Sequence, residues 1–343
     1  MKSDWVAASV RARSLAERRV GAGACQQIAT LNVLTDLNST NSTNSTNDPR
    51  RLSNALALLA DTTYGAGVAG CTEQGAAEHA IRSTVLWHIR VLAGWIPATG
   101  TRLVRAVAAG YERDNIVALA HTLGTGQPAG QPFELGALAT AWPRLREATS
   151  VSELDAALRT SPWAYSNAGE AGAGSVSAGD SNTGETSTPA DRDVLTLVWL
   201  TRIAAVAGAA RPWAEAAAGL LVARMLLVDQ TPASPRLCAV ARPLLGRAWE
   251  RAGTLADLRA SLPRGARDAL RHTEGPLDLW RSEARLRARV EAEGFRLLRG
   301  AMPGPDIVLG GIAVLAMDAW RVRAALSAAA AGIGHSEVLD ALA

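Results

Sequence analysis

Asp306-Ile307-Val308-Leu309-Gly310-Gly311-Ile312-Ala313-Val314-Leu315-Ala316-Met317-Asp318-Ala319-Trp320-Arg321-Val322-Arg323-Ala324-Ala325-Leu326 is the stretch that decides the fold class. Its Val308, Ile312, Leu315, Ala319, Val322 and Leu326 recur at alternating steps of four and three, the repeat of one helix face. Pro303-Gly304-Pro305 breaks the chain before it, and Asp306 stands where an N-cap is expected. Ile81, Val85, Ile89, Leu92 and Ile96 form a second such stripe, which Pro97 ends. A third helix is expected from Leu277 to Arg299. It carries Arg281, Arg285, Arg289 and Arg296 with Glu283, Glu291 and Glu293, and reads as a solvated face of mixed charge. Strand signals are scarce: there are only 2 Phe and 3 Tyr, against abundant Ala, Leu, Arg and Glu. The expected fold class is all-α.

At 343 residues the chain exceeds the roughly 250–300 residues at which single cores stop growing, so two or three packing units are expected. Hydrophobic residues at 48% and charged residues at 20% argue against disorder as the main state. Lys2 is the only lysine, which excludes mechanisms that need an interior lysine. Cys25, Cys71 and Cys238 are odd in number and far apart, and read as buried hydrophobes in a reducing compartment. The opening Met1-Lys2-Ser3-Asp4-Trp5 has no apolar signal core. The charge-free run between Asp306 and Asp318 is far shorter than the roughly 20 residues a spanning helix needs. A cytoplasmic protein is expected, with any membrane attachment made through a partner.

Two segments interrupt the helical pattern. Asn38 to Asn47 repeats Asn-Ser-Thr, a polar insert with nothing to bury; 166–189 is rich in Gly, Ser and Thr and reads as a flexible surface loop.

Motifs for chemistry are few. Gly65-Ala66-Gly67-Val68-Ala69-Gly70 fits the dinucleotide fingerprint, but Leu52 to Ala60 before it reads as helix and no acid lies between Ala80 and Tyr111. A helix–turn–helix connection is expected instead. No Gly-Lys pair exists for a P-loop, and no Gly-x-Ser-x-Gly marks a nucleophile. His79, His88, His121, His272 and His335 never fall at metal-binding spacing. The arginines lie among nearly equal numbers of acids with no aromatic-rich basic patch, so no nucleic-acid partner is expected. No catalytic, cofactor-binding or metal-ligating residue, and no cofactor, is assigned. The 10 tryptophans, several beside Pro or Arg, read as wedges at helix junctions with the indole N–H near water; partner anchoring is the sharper alternative.

Four stretches taken together resemble the C/d family of V-type/A-type ATPase subunits, found in prokaryotic and eukaryotic rotary ATPases. Asp4-Trp5-Val6-Ala7-Ala8-Ser9-Val10-Arg11-Ala12-Arg13 is similar to that family's opening helix, an aromatic and small residues before Arg-x-Arg. Leu59-Ala60-Asp61-Thr62-Thr63-Tyr64-Gly65 resembles its Leu-x-x-Thr-x-Tyr-Gly helix end. Tyr111-Glu112-Arg113-Asp114-Asn115-Ile116-Val117-Ala118-Leu119, followed by Gly124-Thr125-Gly126, resembles its aromatic–acidic–Asn–aliphatic helix. Asp318-Ala319-Trp320-Arg321-Val322-Arg323 looks like its closing helix. The first 125 or so residues and the last 40 carry the resemblance. In the middle, Arg192-Asp193-Val194-Leu195-Thr196-Leu197 is the candidate internal repeat but lacks the Asn.

The resemblance implies a funnel of three similar helical bundles in pseudo-threefold arrangement: 1–125, 126–245 and 246–343. It implies a non-catalytic central-stalk socket, linking the shaft made by the D and F stalk subunits to the membrane c-ring and so coupling ATP chemistry to proton or sodium transport. Peripheral attachment to the inner face of the plasma membrane, without a span of its own, follows from that role. Two other readings stay open: a helical adaptor unrelated to ATPases, and an all-α enzyme with a site assembled from residues such as Glu78, Arg82 and His88.

Overall fold

The computed structural model describes residues 3–38, 49–128, 130–164 and 191–332. Most of the Asn38 to Asn47 insert, all of the 166–189 segment and His335 lie outside the described residues. Helices and their connections make up the described chain, with no strand among the described residues. In order the helices are α1 Val6–Glu17, α2 Gly21–Asn38, α3 Pro49–Ala57, α4 Gly65–Val68, α5 Gln74–Ala93, α6 Thr101–Thr125, α7 Trp142–Leu145 and α8 Val151–Arg159. They continue with α9 Arg192–Val206, α10 Arg211–Arg224, α11 Pro235–Leu245, α12 Leu255–Ser261, α13 Arg264–Ala269, α14 Leu279–Leu298 and α15 Pro305–Ala331. The all-α expectation holds for the described residues.

Contacts divide the chain into two compact units, 1–104 with 277–343, and 105–276. The first unit is built around α15, which packs on α14, α2, α1, α5 and α3. The expected stripe is all buried, and so are Ile307, Leu309 and Val314 between its members. A helix apolar on every side is a core helix, and each fully buried aliphatic side chain stabilises by about 1.5–3 kcal/mol relative to exposure. The helix begins two residues earlier than Asp306 as N-cap implies. Pro305 takes the first helical position, where its missing N–H costs nothing, and Gly304 stands at the N-cap without a side-chain bond. Asp306 lies in the first turn, where its charge faces the positive end of the helix dipole.

Glycine brings neighbouring helices into α15. A Cβ on Gly310 would stand 2.6 Å from the carbonyl oxygen of Gly294 on α14, and one on Gly311 2.8 Å from the carbonyl oxygen of Ala12 on α1. The three backbones therefore cross closer than any side chain allows. Arg13 of α1 then closes the end of α14, its Nε donating to Leu298 O at 3.0 Å and its Nη2 to Gly300 O at 2.8 Å. Carbonyls left without partners at a helix C-terminus are satisfied by this cation. On the α5 side, Arg323 donates to Glu78 Oε2 at 2.8 Å. The stripe of α5 is buried from Ile81 to Leu92, but α5 ends at Ala93, so Ile96 is half-buried in the turn beyond.

In the second unit α10 packs on α13, α9 and α11, and α9 also packs on α11. Asp191 caps α9, accepting the Asp193 N–H at 2.8 Å. The stretch Arg192–Leu197 is thus the first turns of a helix, as expected for its type. Gly219 meets Ala266 Cβ at 2.7 Å from its own missing Cβ, the same device that packs α15.

Candidate functional site

The fingerprint glycines serve packing. Gly65 opens the single turn α4, and a Cβ there would meet the Ala60 carbonyl oxygen at 2.0 Å; on Gly67 it would meet Thr84 Oγ1 at 2.7 Å. No strand precedes them among the described residues.

Glu78, Arg82 and His88 share α5, but the last lies ten positions beyond the first, about 15 Å along the helix. Glu78 is occupied by Gln74 and Arg323. Burial would raise its carboxyl, and those bonds hold it below the ordinary range. His88 is buried with its ring edge-on to Trp87 at 4.7 Å, and its Nδ1 has no hydrogen bond. Burial, then Arg11 and Arg18, push its pKa down to about 4, so the imidazole is neutral at pH 7. The structure does not gather these three into one site. Among the described residues no three His, Cys, Asp or Glu side chains group to hold a metal ion.

Two fully buried carboxylates instead organise the two units. In the first, Asp318 on α15 accepts the Val20 N–H at 3.1 Å, the Gly21 N–H at 2.8 Å and the Tyr64 hydroxyl at 3.0 Å. Gly21 begins α2 and Val20 stands just before it, so Asp318 supplies from a distant helix the cap that α2 lacks in its own sequence. Gly21 reaches this position at φ +81°, where a Cβ would be strained. Burial pushes Asp318 above the ordinary carboxyl range, against the opposing bonds from Gly21, Val20 and Tyr64 and the charge of Arg321. Arg321 itself turns to Glu291 on α14, with its Nη1 3.0 Å from Oε1. The Cys25 thiol nearby is pushed up to about 12 by burial first and then by Asp318, so it is an inert thiol.

In the second unit Glu112 on α6 accepts five hydrogen bonds. Oε1 takes the N–H groups of Thr140 at 2.7 Å, Ala141 at 2.7 Å and Trp142 at 2.8 Å; Oε2 takes the Thr140 hydroxyl and the Trp163 indole N–H, the latter at 2.9 Å. Those three peptide groups lead into α7. Burial alone would raise this carboxyl; the Thr140, Ala141, Trp142 and Trp163 bonds outweigh it and hold Glu112 below the ordinary range. One turn on, Asn115 donates from Nδ2 to Phe133 O at 2.9 Å and accepts Phe133 N–H at Oδ1 at 2.8 Å. Tyr111 meets the Phe133 ring edge-on at 5.2 Å. One face of α6 thus fixes the returning chain at residues 133 and 140–142.

The tryptophans correct the sequence reading in part. Trp163 is almost fully buried with its N–H on Glu112, and the indoles of Trp199 and Trp249 donate to Ala106 O and Gly246 O. These N–H groups are bonded inside the protein, because burying an indole without a partner is costly. Trp87 and Trp95 are half exposed. In the sequence, Tyr64, Glu112, Asn115 and Asp318 stand out only as members of motifs, and no signal names their partners.

No protein-family model matches the chain, and no curated protein matches it. No helix among the described residues is long and apolar enough to cross a membrane.

Proposed function

We propose that this chain is the central-stalk socket of a V/A-type rotary ATPase. On this reading it is a funnel of three similar helical bundles, 1–125, 126–245 and 246–343, in pseudo-threefold arrangement. It rests on the c-ring at the inner face of the plasma membrane, receives the end of the D and F shaft, and passes torque between ATP chemistry and proton or sodium movement. It catalyses nothing itself.

The observation that carries the reading is where the resembling stretches fall. Tyr64 of the second stretch donates to Asp318 of the fourth, 254 residues away, and Arg13 of the first closes the helix that precedes the fourth. In the third, Glu112 and Asn115 fix the chain that follows. A part that transmits torque needs stiffness more than reactive groups. Buried carboxylates that tie distant helix starts by hydrogen bonds, and glycine-tight helix crossings, supply stiffness.

The test is a tagged pull-down from detergent-solubilised native membranes, with every co-eluting band identified by mass. A proteolipid ring protein together with both stalk proteins is the expected result. Recovery of soluble proteins alone, or of nothing, would overturn the reading and favour a helical adaptor.

A further inference from the structure

Viewed down α14, Arg281, Arg285, Arg289, Arg296 and Arg299 fall within about 80° of the helix circumference and run for about 27 Å. Within the helix only Ala292 shares this arc, with Ala288 at its edge. The arc faces away from α15 and holds no acid within the helix, but at its N-terminal end Asp278 pairs with Arg281 at 3.4 Å. The helix's own acids lie off it, and each is tied to an arginine: Glu283 to Arg287, Glu291 to Arg321, Glu293 to Arg289. Arg285, Arg296 and Arg299 are exposed and make no ion pair among the described residues. Surface helices ordinarily interleave the two signs, and like charges four apart repel. With Arg281 held by Asp278 and Arg289 by Glu293, the counter-charge for Arg285, Arg296 and Arg299 is left to come from outside the described fold.

We propose that the outward face of α14 docks on an anionic lipid bilayer. Guanidinium groups pair with phosphate oxygens in two-pronged fashion, and the short alanines leave the row unobstructed against a plane. An exposed apolar residue stands in the chain beyond each end of α14. Leu277, just before α14, is 85% exposed, and Met302, just after it, is 55% exposed. Protein interfaces place apolar anchors at the centre and charge at the rim. Here the order is reversed, with charge along the middle and an apolar side chain at each end to enter the headgroup boundary. The assignment stands on α14 alone and does not need the chain to belong to a rotary ATPase.

The full chain is sedimented with vesicles of phosphatidylglycerol and phosphatidylcholine at low salt, and with vesicles of phosphatidylcholine alone. Binding to the first and not the second is expected. The triple variant Arg285→Gln, Arg296→Gln, Arg299→Gln should lose about 100-fold in affinity, roughly five-fold per arginine. These side chains make no ion pair within the described fold, so an unchanged circular dichroism spectrum is expected. The matching triple change to Lys keeps the charge and should retain most of the binding. Leu277→Ser with Met302→Ser should cost less than the Gln triple. The proposal is overturned if the protein stays in the supernatant, if the Gln triple binds as well as the native chain, or if the Lys triple loses as much as the Gln triple. Tighter arginine-dependent binding to duplex DNA or polyglutamate would overturn it too, giving the face to a soluble polyanion.

Discussion

Asp318 in the first unit and Glu112 in the second are both fully buried, both lie within a long helix, and both accept peptide N–H groups at the start of another helix. Each also takes one aromatic donor, Tyr64 or Trp163. Yet burial wins at Asp318 and its carboxyl is pushed up, whereas at Glu112 the hydrogen bonds win and the carboxyl is held down. The donor sets explain the difference. Glu112 gathers three peptide groups, a hydroxyl and an indole, while Asp318 gathers three donors and its nearest guanidinium, Arg321, is committed to Glu291. The same capping task is thus done by a well-solvated charge in one unit and an under-solvated one in the other.

The sharpest way to break this comparison is to delete each carboxylate. Glu112→Ala leaves five donors without an acceptor in the interior and should cost about 3–5 kcal/mol. Asp318→Ala should cost less, about 2–4 kcal/mol, since fewer donors are stranded and a poorly solvated charge goes with them. Urea unfolding of both variants decides it, and a larger loss at Asp318 would refute the account of the two donor sets.

Isosteric amides sharpen the contrast. Glu112→Gln turns an NH2 group toward donors that surround both oxygens and should cost about 2–3 kcal/mol. Asp318→Asn removes a charge that burial opposes and should cost under about 1.5 kcal/mol. Equal costs in the same urea assay would show that charge state matters to neither site.

How far these sites were legible in the sequence differs with the range of the signal. The stripe from Val308 to Leu326 is a local pattern, and it located α15 and its buried face directly. The N-cap is Gly304, two positions before Asp306, because Pro305, with φ already fixed for a helix, starts the turn first. Tyr64 and Asp318 belong to two separate motifs, and the 254 residues between them leave no local sign that they touch. For Glu112 the partners lie at 140–142 and 163, in stretches whose turns carry no periodicity. What periodicity cannot carry is a backbone N–H that must find a side chain far along the chain.

Acid should move the two sites in opposite directions. Glu112, depressed in the folded state, contributes stability that is fully present above the ordinary 4.5 and is lost as pH falls through its lower folded value. Asp318, raised when folded, binds its proton before the unfolded chain does. Its effect therefore stabilises the fold as pH falls from its folded value toward the ordinary 3.8. Measured against the native chain over a pH series, the cost of Asp318→Asn should grow first on acidification. The cost of Glu112→Gln should shrink later, at lower pH. Every tenfold difference in proton affinity between folded and unfolded chain is worth about 1.4 kcal/mol in these responses. Parallel changes with pH would contradict the assigned directions.

The smallest effect belongs to the aromatic donor of the weaker site. Tyr64→Phe deletes one 3.0 Å bond to Asp318 and keeps the ring that fills the core beside it. A single buried hydroxyl bond to a charged group is worth about 1.5 kcal/mol, and to a neutral one nearer about 1 kcal/mol. Because Asp318 is poorly supplied with donors, losing one should raise its carboxyl further and move its acid response to higher pH. A stability loss of about 1 kcal/mol with that upward displacement would mean Tyr64 serves the charge. The same loss with no displacement would mean the hydroxyl does no more than satisfy a packed site, and the parallel with Trp163 and Glu112 would fail.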